Sequence, residues 1–164
     1  MILRHLNASR RTVLGGIAPS LLPLAARAAP PVNTLKGGLF GGRDDTAILG
    51  YDTVAYHTDG RAVKGQDAYV HAWMGARWKF ASQAHLDLFK AAPEKYAPQY
   101  GGYCAYGVSR NKLVEIEVAA FQIVDGRLLL QYSPSVRDDF NKDAQGNLAK
   151  ATTNWPALVE KKGK

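Results

Sequence analysis

An Asp-Gly pair between two apolar segments is the feature that most constrains the fold of this chain. Residues 121–124 read Phe-Gln-Ile-Val and residues 127–130 read Arg-Leu-Leu-Leu, with Asp125 and Gly126 between them. Asp-Gly is typical of the two-residue type I′ turn, which needs a positive φ at both positions. The pattern therefore predicts an antiparallel hairpin of fixed register.

Shorter signals along the chain predict the other elements. Residues 70–81 predict a second hairpin that turns at Met-Gly-Ala. Ser82 is placed to cap a helix that Pro93 ends, and Ser133 with Pro134 indicates another helix start. No internal repeat is evident. These elements predict one α+β domain, in which short helices pack on a small antiparallel sheet.

The N-terminal residues 1–29 have the pattern of a cleaved export signal. A basic start is followed by a weakly apolar run and by Ala26-Arg27-Ala28, the small-residue pattern of a cleavage site. Ser-Arg-Arg-Thr-Val-Leu at residues 9–14 resembles the twin-arginine export signal, and an ordinary secretory signal with two arginines is the alternative. The run is too short for a permanent membrane anchor. We therefore expect a periplasmic or otherwise exported protein.

Composition divides the remaining chain into three parts. Residues 30–45 are rich in proline and glycine and predict a flexible lead-in. Residues 46–160 form the predicted domain, with a terminal helical turn at residues 154–159. Residues 161–164 are a basic tail.

Net charge and cysteine content limit the classes of partner. The chain carries +7, of which residues 1–29 contribute four arginines and no acid, so about +3 remains. Such a charge does not indicate a nucleic-acid partner, and we expect a monomer or weak dimer. Cys104 is the only cysteine, so no internal disulfide can form. In an oxidising compartment its thiol is buried and inert, bound to a metal, or reactive towards another molecule.

The middle of the chain carries motifs of a known family. Tyr69-x-His71, Gly75-Ala76-x-Trp78-x-Phe80-Ala81-Ser82, Phe89 and Pro93-Glu94-Lys95-Tyr96 follow one another. Their spacing resembles the YHS domain family. Three flanking motifs resemble a small exported subgroup of that family: residues 50–56, residues 101–106, and residues 147–150 with 154–156.

The resemblance implies a fold and a class of function. YHS domains occur in copper-transporting ATPases and related metal-handling proteins, and are presumed to bind heavy metals through two cysteines. Those positions are Ala55 and Ala81 in this chain. The resemblance therefore implies the fold more strongly than the metal site.

Imidazole and thiolate groups elsewhere could still hold copper or zinc. We expect copper first and zinc second, with Cys104, His71 and His57 as the metal ligands. His85 is expected on the exposed face of a helix. No pair of these side chains has a local chelating spacing, so the fold must assemble any site.

Aromatic residues predict a ligand pocket formed by Tyr100, Tyr103, Tyr106, Trp73 and Trp78. If residues 99–108 form a short helix, Tyr100 and Cys104 face inwards with Val108. If they are extended, Cys104 shares a face with Tyr106 and Val108 instead.

The two candidate functions differ in whether a metal binds. The first is a heavy-metal binding or handling role. The alternative is a metal-free binding module for an unknown exported partner, with a structural cysteine in its core. We find no catalytic constellation and expect no enzyme.

Overall fold

The structure is a computed structural model that describes residues 32–34 and 45–162, and of Lys162 only the backbone. The predicted signal, residues 1–29, lies outside the described residues. The chain forms a compact α+β domain, as predicted, with the elements α1 (Ala55–Thr58), β1 (Gln66–Trp73), β2 (Ala76–Phe80), α2 (Gln83–Ala91), α3 (Pro93–Tyr96), α4 (Ala105–Ser109), β3 (Glu117–Val124), β4 (Arg127–Gln131), α5 (Pro134–Asn141) and α6 (Ala144–Lys162). Short 3₁₀ helices at Ile48–Gly50 and Gln99–Gly102 precede α1 and α4.

Both predicted hairpins are confirmed, but they form two separate two-stranded antiparallel sheets. β1 pairs with β2, and β3 pairs with β4. Asp125 and Gly126 have φ values of 50° and 73°, as the type I′ turn requires. Met74 and Gly75, at the turn of the other hairpin, have nearly the same values, 51° and 74°.

Serine caps start the helix that follows each hairpin. The hydroxyl of Ser82 accepts from the N–H of His85, and that of Ser133 accepts from the N–H of Val136, both at 3.2 Å. Each cap satisfies one of the backbone donors that a helix N-terminus leaves unpaired. Both predicted helix starts are therefore confirmed.

The structure contains an internal repeat of architecture that is not evident in the sequence. Helix, hairpin and serine-capped helix occur twice in the same order, once in residues 48–91 (the first unit) and once in residues 99–141 (the second unit). Corresponding hairpin residues lie 51 positions apart: Gln66 pairs with Phe80 as Glu117 pairs with Gln131. An irregularity interrupts the register at the same place in both hairpins.

Backbone conformation repeats as well. The described residues with positive φ fall into two matching sets of six. In each set, three consecutive residues lie in the 3₁₀ helix, one follows the α-helix that comes next, and two make the hairpin turn. The members are Ile48, Leu49, Gly50, Gly60, Met74 and Gly75 in the first unit, and Tyr100, Gly101, Gly102, Asn111, Asp125 and Gly126 in the second. Few of the paired positions keep the same side chain, which explains why the sequence did not reveal the repeat.

Two groups of buried side chains hold the domain together. Trp78, Phe80 and Phe89 lie in the first, where Trp78 stacks on Phe89 with ring centroids 5.2 Å apart. The second contains Leu129 and Phe140. Burial of each such side chain contributes about 1.5–3 kcal/mol, so these groups account for much of the driving force for folding.

Residues 99–108 follow the helical alternative in two short pieces. The 3₁₀ helix Gln99–Gly102 and α4 flank Cys104, which is the N-cap of α4. Tyr100, Cys104 and Val108 are all buried, as that alternative predicts.

Both ends of the described chain differ from expectation. Asn33, in the predicted flexible lead-in, is buried and accepts through its backbone carbonyl from the N–H of Ile48. α6 has 19 residues, far more than the predicted terminal turn, and includes Pro156 and the first part of the predicted tail. The side chain of Asn154 donates to the carbonyls of Val108 and Ser109 and so ties α6 to α4.

Within the described part of the chain, no helix has the length and apolar character needed to cross a membrane.

Candidate ligand cavity and the predicted metal ligands

Cys104 lies in the core between α4 and the second hairpin, with 1% of its surface exposed. Its Sγ donates to Oε1 of Gln131 at 3.3 Å and accepts from the N–H of Gly107 at 3.4 Å. The same Oε1 of Gln131 also accepts from the N–H of Tyr106. The thiol therefore has protein partners for both its donor and its acceptor function, in a place that solvent does not reach.

The two predicted histidine ligands pack against aromatic rings. His71, in β1, lies opposite Trp78 in the hairpin, and its ring meets that of Phe89 edge-on with centroids 6.2 Å apart. His57, in α1, meets Tyr96 in the same way at 5.4 Å. Burial, and then the charge of Lys95, lowers the pKa of His57, which keeps the imidazole neutral at pH 7.

No metal centre is assembled in the described ranges 32–34 and 45–162. They contain no group of three or more His, Cys, Asp and Glu side chains arranged to hold a metal ion. Cys104, His71 and His57 are thus not gathered into one such group. The two histidines belong to the first unit, whereas Cys104 belongs to the second.

The sequence predicted His85 on an exposed helix face, and this prediction was wrong. Its Nδ1 is 2.6 Å from Oδ2 of Asp52, a fully buried carboxylate, and 16% of the His85 side chain is exposed. Asp52 also accepts from the backbone N–H groups of Val54, Ala55 and Ala81. The positions where the resemblance implies cysteine ligands, Ala55 and Ala81, are therefore joined through the carboxylate of Asp52.

An aromatic cavity of about 180 Å³ lies where the first unit meets α6 and the 3₁₀ helix Gln99–Gly102. All three tryptophans of the chain line it. Its described lining comprises Val32, Trp73, Met74, Trp78, Glu94, Ala97, Pro98, Gln99, Tyr100, Gly101 and Trp155.

The aromatic side chains of the cavity form two edge-on pairs. Trp73 and Trp78 have ring centroids 5.6 Å apart, and Tyr100 and Trp155 have centroids 5.9 Å apart. Nε1 of Trp78 donates to the carbonyl of Trp73, and the hydroxyl of Tyr100 lies 3.3 Å from Oγ1 of Thr152. Trp78 and Tyr100 are buried, whereas Trp73 and Trp155 are partly exposed, so the latter two offer a ligand most of the aromatic surface of the cavity.

Three of the five predicted pocket residues, Trp73, Trp78 and Tyr100, meet at this cavity. Tyr103 and Tyr106 are not among its described lining residues. Tyr103 is buried in the second core, and the hydroxyl of Tyr106 accepts from Arg110.

Two lining residues, Glu94 and Trp155, were absent from the predicted pocket. Glu94 lies in α3 and is exposed, and it is the only described lining residue that is charged at neutral pH. Trp155 lies in the segment that was predicted as a terminal helical turn. Both come from segments far apart in sequence, so only the fold shows that they share a cavity.

The fold defines a small α+β domain with a cavity that three tryptophans and a tyrosine line in part. The model of the YHS domain family matches residues 54–100. This match covers most of the first unit and ends within the 3₁₀ helix that begins the second. YHS domains are generally associated with heavy-metal handling. No curated protein and no solved structure matches the chain.

Proposed function

We propose that the chain is an exported binding domain that takes its ligand in the aromatic cavity and works without a metal ion. The convergence of Trp73, Trp78, Trp155 and Tyr100 on one cavity is the observation that carries this proposal. Aromatic side chains offer a large contact surface, and concave, mostly apolar sites are where small molecules bind.

The environment of Cys104 supports the metal-free proposal. Its thiol is buried, and both of its hydrogen-bonding functions are used within the protein. A metal ion would have to displace the contacts with Gln131 and Gly107. The buried cysteine then has a structural role, as the metal-free function requires.

Tryptophan fluorescence tests the proposal directly, because every tryptophan of the chain lines the cavity. A panel of small apolar, aromatic and cationic compounds is titrated against the full-length protein. We expect at least one class to change the emission of the wild type and to bind Trp155→Leu more weakly. Tyr132→Leu is the matched control, since Tyr132 is 56% exposed and is not a lining residue. No binding by any class, or equal loss in both variants, would contradict the proposal.

Export is proposed on the pattern of residues 1–29. Replacement of both Arg10 and Arg11 by lysine keeps the positive charge but removes the twin-arginine pattern. We expect the variant to accumulate in the cytoplasm of the producing cell, whereas Arg4→Lys is exported normally. Normal export of the double variant would favour the ordinary secretory route.

Heavy-metal handling is the second candidate function, and the match to the YHS domain over residues 54–100 favours it. Copper is the first choice and zinc the second, with Cys104, His71 and His57 as ligands. This function needs a rearrangement that exposes Cys104 and brings an imidazole to its sulfur.

Metal analysis tests this second candidate. The full-length protein is loaded with copper(I) or zinc(II), freed of excess metal and analysed for metal content. Stoichiometric metal in the wild type that is lost in Cys104→Ser would support the candidate. Equal and negligible metal in both proteins would rule out Cys104 as a ligand. Cys104→Ser is a mild change, because serine keeps both a donor and an acceptor at the helix N-cap.

A further inference from the structure

We infer that the aromatic cavity binds a small organic ammonium compound, which the tryptophan and tyrosine rings and the carboxylate of Glu94 hold together. This inference rests on the proposed function of the cavity and adds the chemical class of the ligand.

The ring set is the first argument. The face of an aromatic ring carries negative electrostatic potential and attracts a cation, and tryptophan does so most strongly. Three tryptophans and Tyr100 line the cavity, in two pairs whose centroids are 5.6 and 5.9 Å apart. Clusters of aromatic side chains that surround a cation recognise quaternary ammonium groups in proteins.

The charge of the lining is the second argument. The chain carries a net positive charge, about +3 without residues 1–29, yet the only charge among the described lining residues is the carboxylate of Glu94. No ion pair with Glu94 is found among residues 32–34 and 45–162. The neighbouring ammonium group of Lys95 lies over the ring of Tyr96, 5.0 Å from its centroid. The cavity therefore complements a positive ligand.

The size of the cavity is the third argument. At about 180 Å³ it lies below the range of about 300–1,000 Å³ that drug-sized ligands need. A compact group with several methyl substituents matches this space. The remaining lining includes Val32, Met74, Ala97 and Pro98, whose apolar surfaces suit methyl groups.

A matched pair of compounds separates the contribution of charge from that of shape. Choline and 3,3-dimethyl-1-butanol have the same shape, but only choline is charged. Each is titrated against the full-length protein while tryptophan emission is recorded. We expect choline to bind about tenfold more tightly, since a cation–π contact with a partly desolvated ring is worth about 1–2 kcal/mol.

Glu94→Gln tests the carboxylate with a side chain of the same size. We expect this variant to lose most of the preference for choline. Glu117→Gln is the matched control, because Glu117 is exposed on β3 and is not a lining residue. The control is expected to bind choline like the wild type.

The possible outcomes separate this inference from the proposed function. Equal binding of the two compounds, or a choline preference unchanged in Glu94→Gln, overturns the ammonium inference but leaves a cavity that binds apolar groups. Absence of binding by both compounds overturns the inference, whereas the proposed function fails only if no class in the wider panel of compounds binds. Phosphatidylcholine vesicles at the same choline concentration form the last arm. Co-sedimentation of the protein with these vesicles would show that the ligand is a lipid headgroup and would overturn the inference of a free compound.

Discussion

Replacement of Asp52 by asparagine is the most informative single test of the fold. The carboxylate of Asp52 is fully buried and accepts four hydrogen bonds. Oδ1 serves the N–H groups of Val54 at 2.8 Å and Ala55 at 3.3 Å. Oδ2 serves the N–H of Ala81 at 2.8 Å and Nδ1 of His85 at 2.6 Å. One carboxylate thus joins the start of α1, the end of the first hairpin and α2.

The magnitude follows from the number of acceptors lost. In Asp52→Asn one oxygen becomes an NH₂ group, so two of the four donors lose their acceptor. A hydrogen bond to a charged group contributes about 1.5–3 kcal/mol, and His85 can recover part of one bond by changing its tautomer. We expect the free energy of unfolding to fall by about 3 kcal/mol. With a denaturant slope near 1.5 kcal/mol/M, the urea midpoint would fall by about 2 M.

Equilibrium urea unfolding, followed by circular dichroism, is the assay. Asp59→Asn is the matched control, since Asp59 is 34% exposed in its side chain and its Oδ1 lies 3.9 Å from Nε2 of His85. We expect that change to cost less than about 1 kcal/mol, as for exposed ion pairs. If Asp52→Asn does not fold, His85→Gln gives a milder measurement of the same contact. Equal midpoints for Asp52→Asn and Asp59→Asn would refute the reasoning.

Three further predictions follow from the same structure. The pKa of His57 is lower in the folded state, so the unfolded chain binds a proton more readily and stability falls as the pH drops below about 6.5. Urea midpoints measured at several pH values should show a smaller fall in His57→Gln than in the wild type. An equal fall in both proteins would contradict this prediction. Gly75→Ala and Gly126→Ala should each lower the free energy of unfolding by about 1–2 kcal/mol through backbone strain alone, because φ is 74° and 73° and nothing lies within 4 Å of the added Cβ. Urea unfolding measures both losses, and values that differ widely between the two variants would argue against equivalent turns. Cys104 should react with a thiol reagent only when the protein opens, so its labelling rate should rise with urea along the unfolding curve, whereas rapid labelling of the native protein would contradict its burial.

Local signals were sufficient to predict the hairpins and the helix starts. The turn at Asp125 and the caps at Ser82 and Ser133 are decided by neighbouring residues, whose conformational preferences act over a few positions. The full length of α6 could not be predicted, because Pro156 disfavours a helix locally. Contacts such as those from Asn154 to α4 hold α6 in place, and they join residues about 45 positions apart.

The candidate site could be predicted only in part. Trp73 and Trp78 are brought together by one hairpin, and the sequence showed that hairpin. Glu94 lies in α3 and Trp155 in α6, so their proximity depends on how these two helices pack in the folded domain. His85 was misplaced for the same reason, because its partner Asp52 lies 33 positions earlier in the chain.

The repeated architecture explains the position of the single cysteine. Asp52 and Cys104 each follow the three positive-φ residues of a 3₁₀ helix, and each N–H donates to the carbonyl of a valine, Val63 at 2.9 Å and Val114 at 3.0 Å. Each side chain also accepts from the N–H three residues later and contacts the end of the hairpin of its own unit. The thiol of Cys104 thus connects helix and hairpin in the second unit as the carboxylate of Asp52 does in the first. A group with this role must stay buried and paired in the folded state, which favours a structural cysteine over a metal ligand.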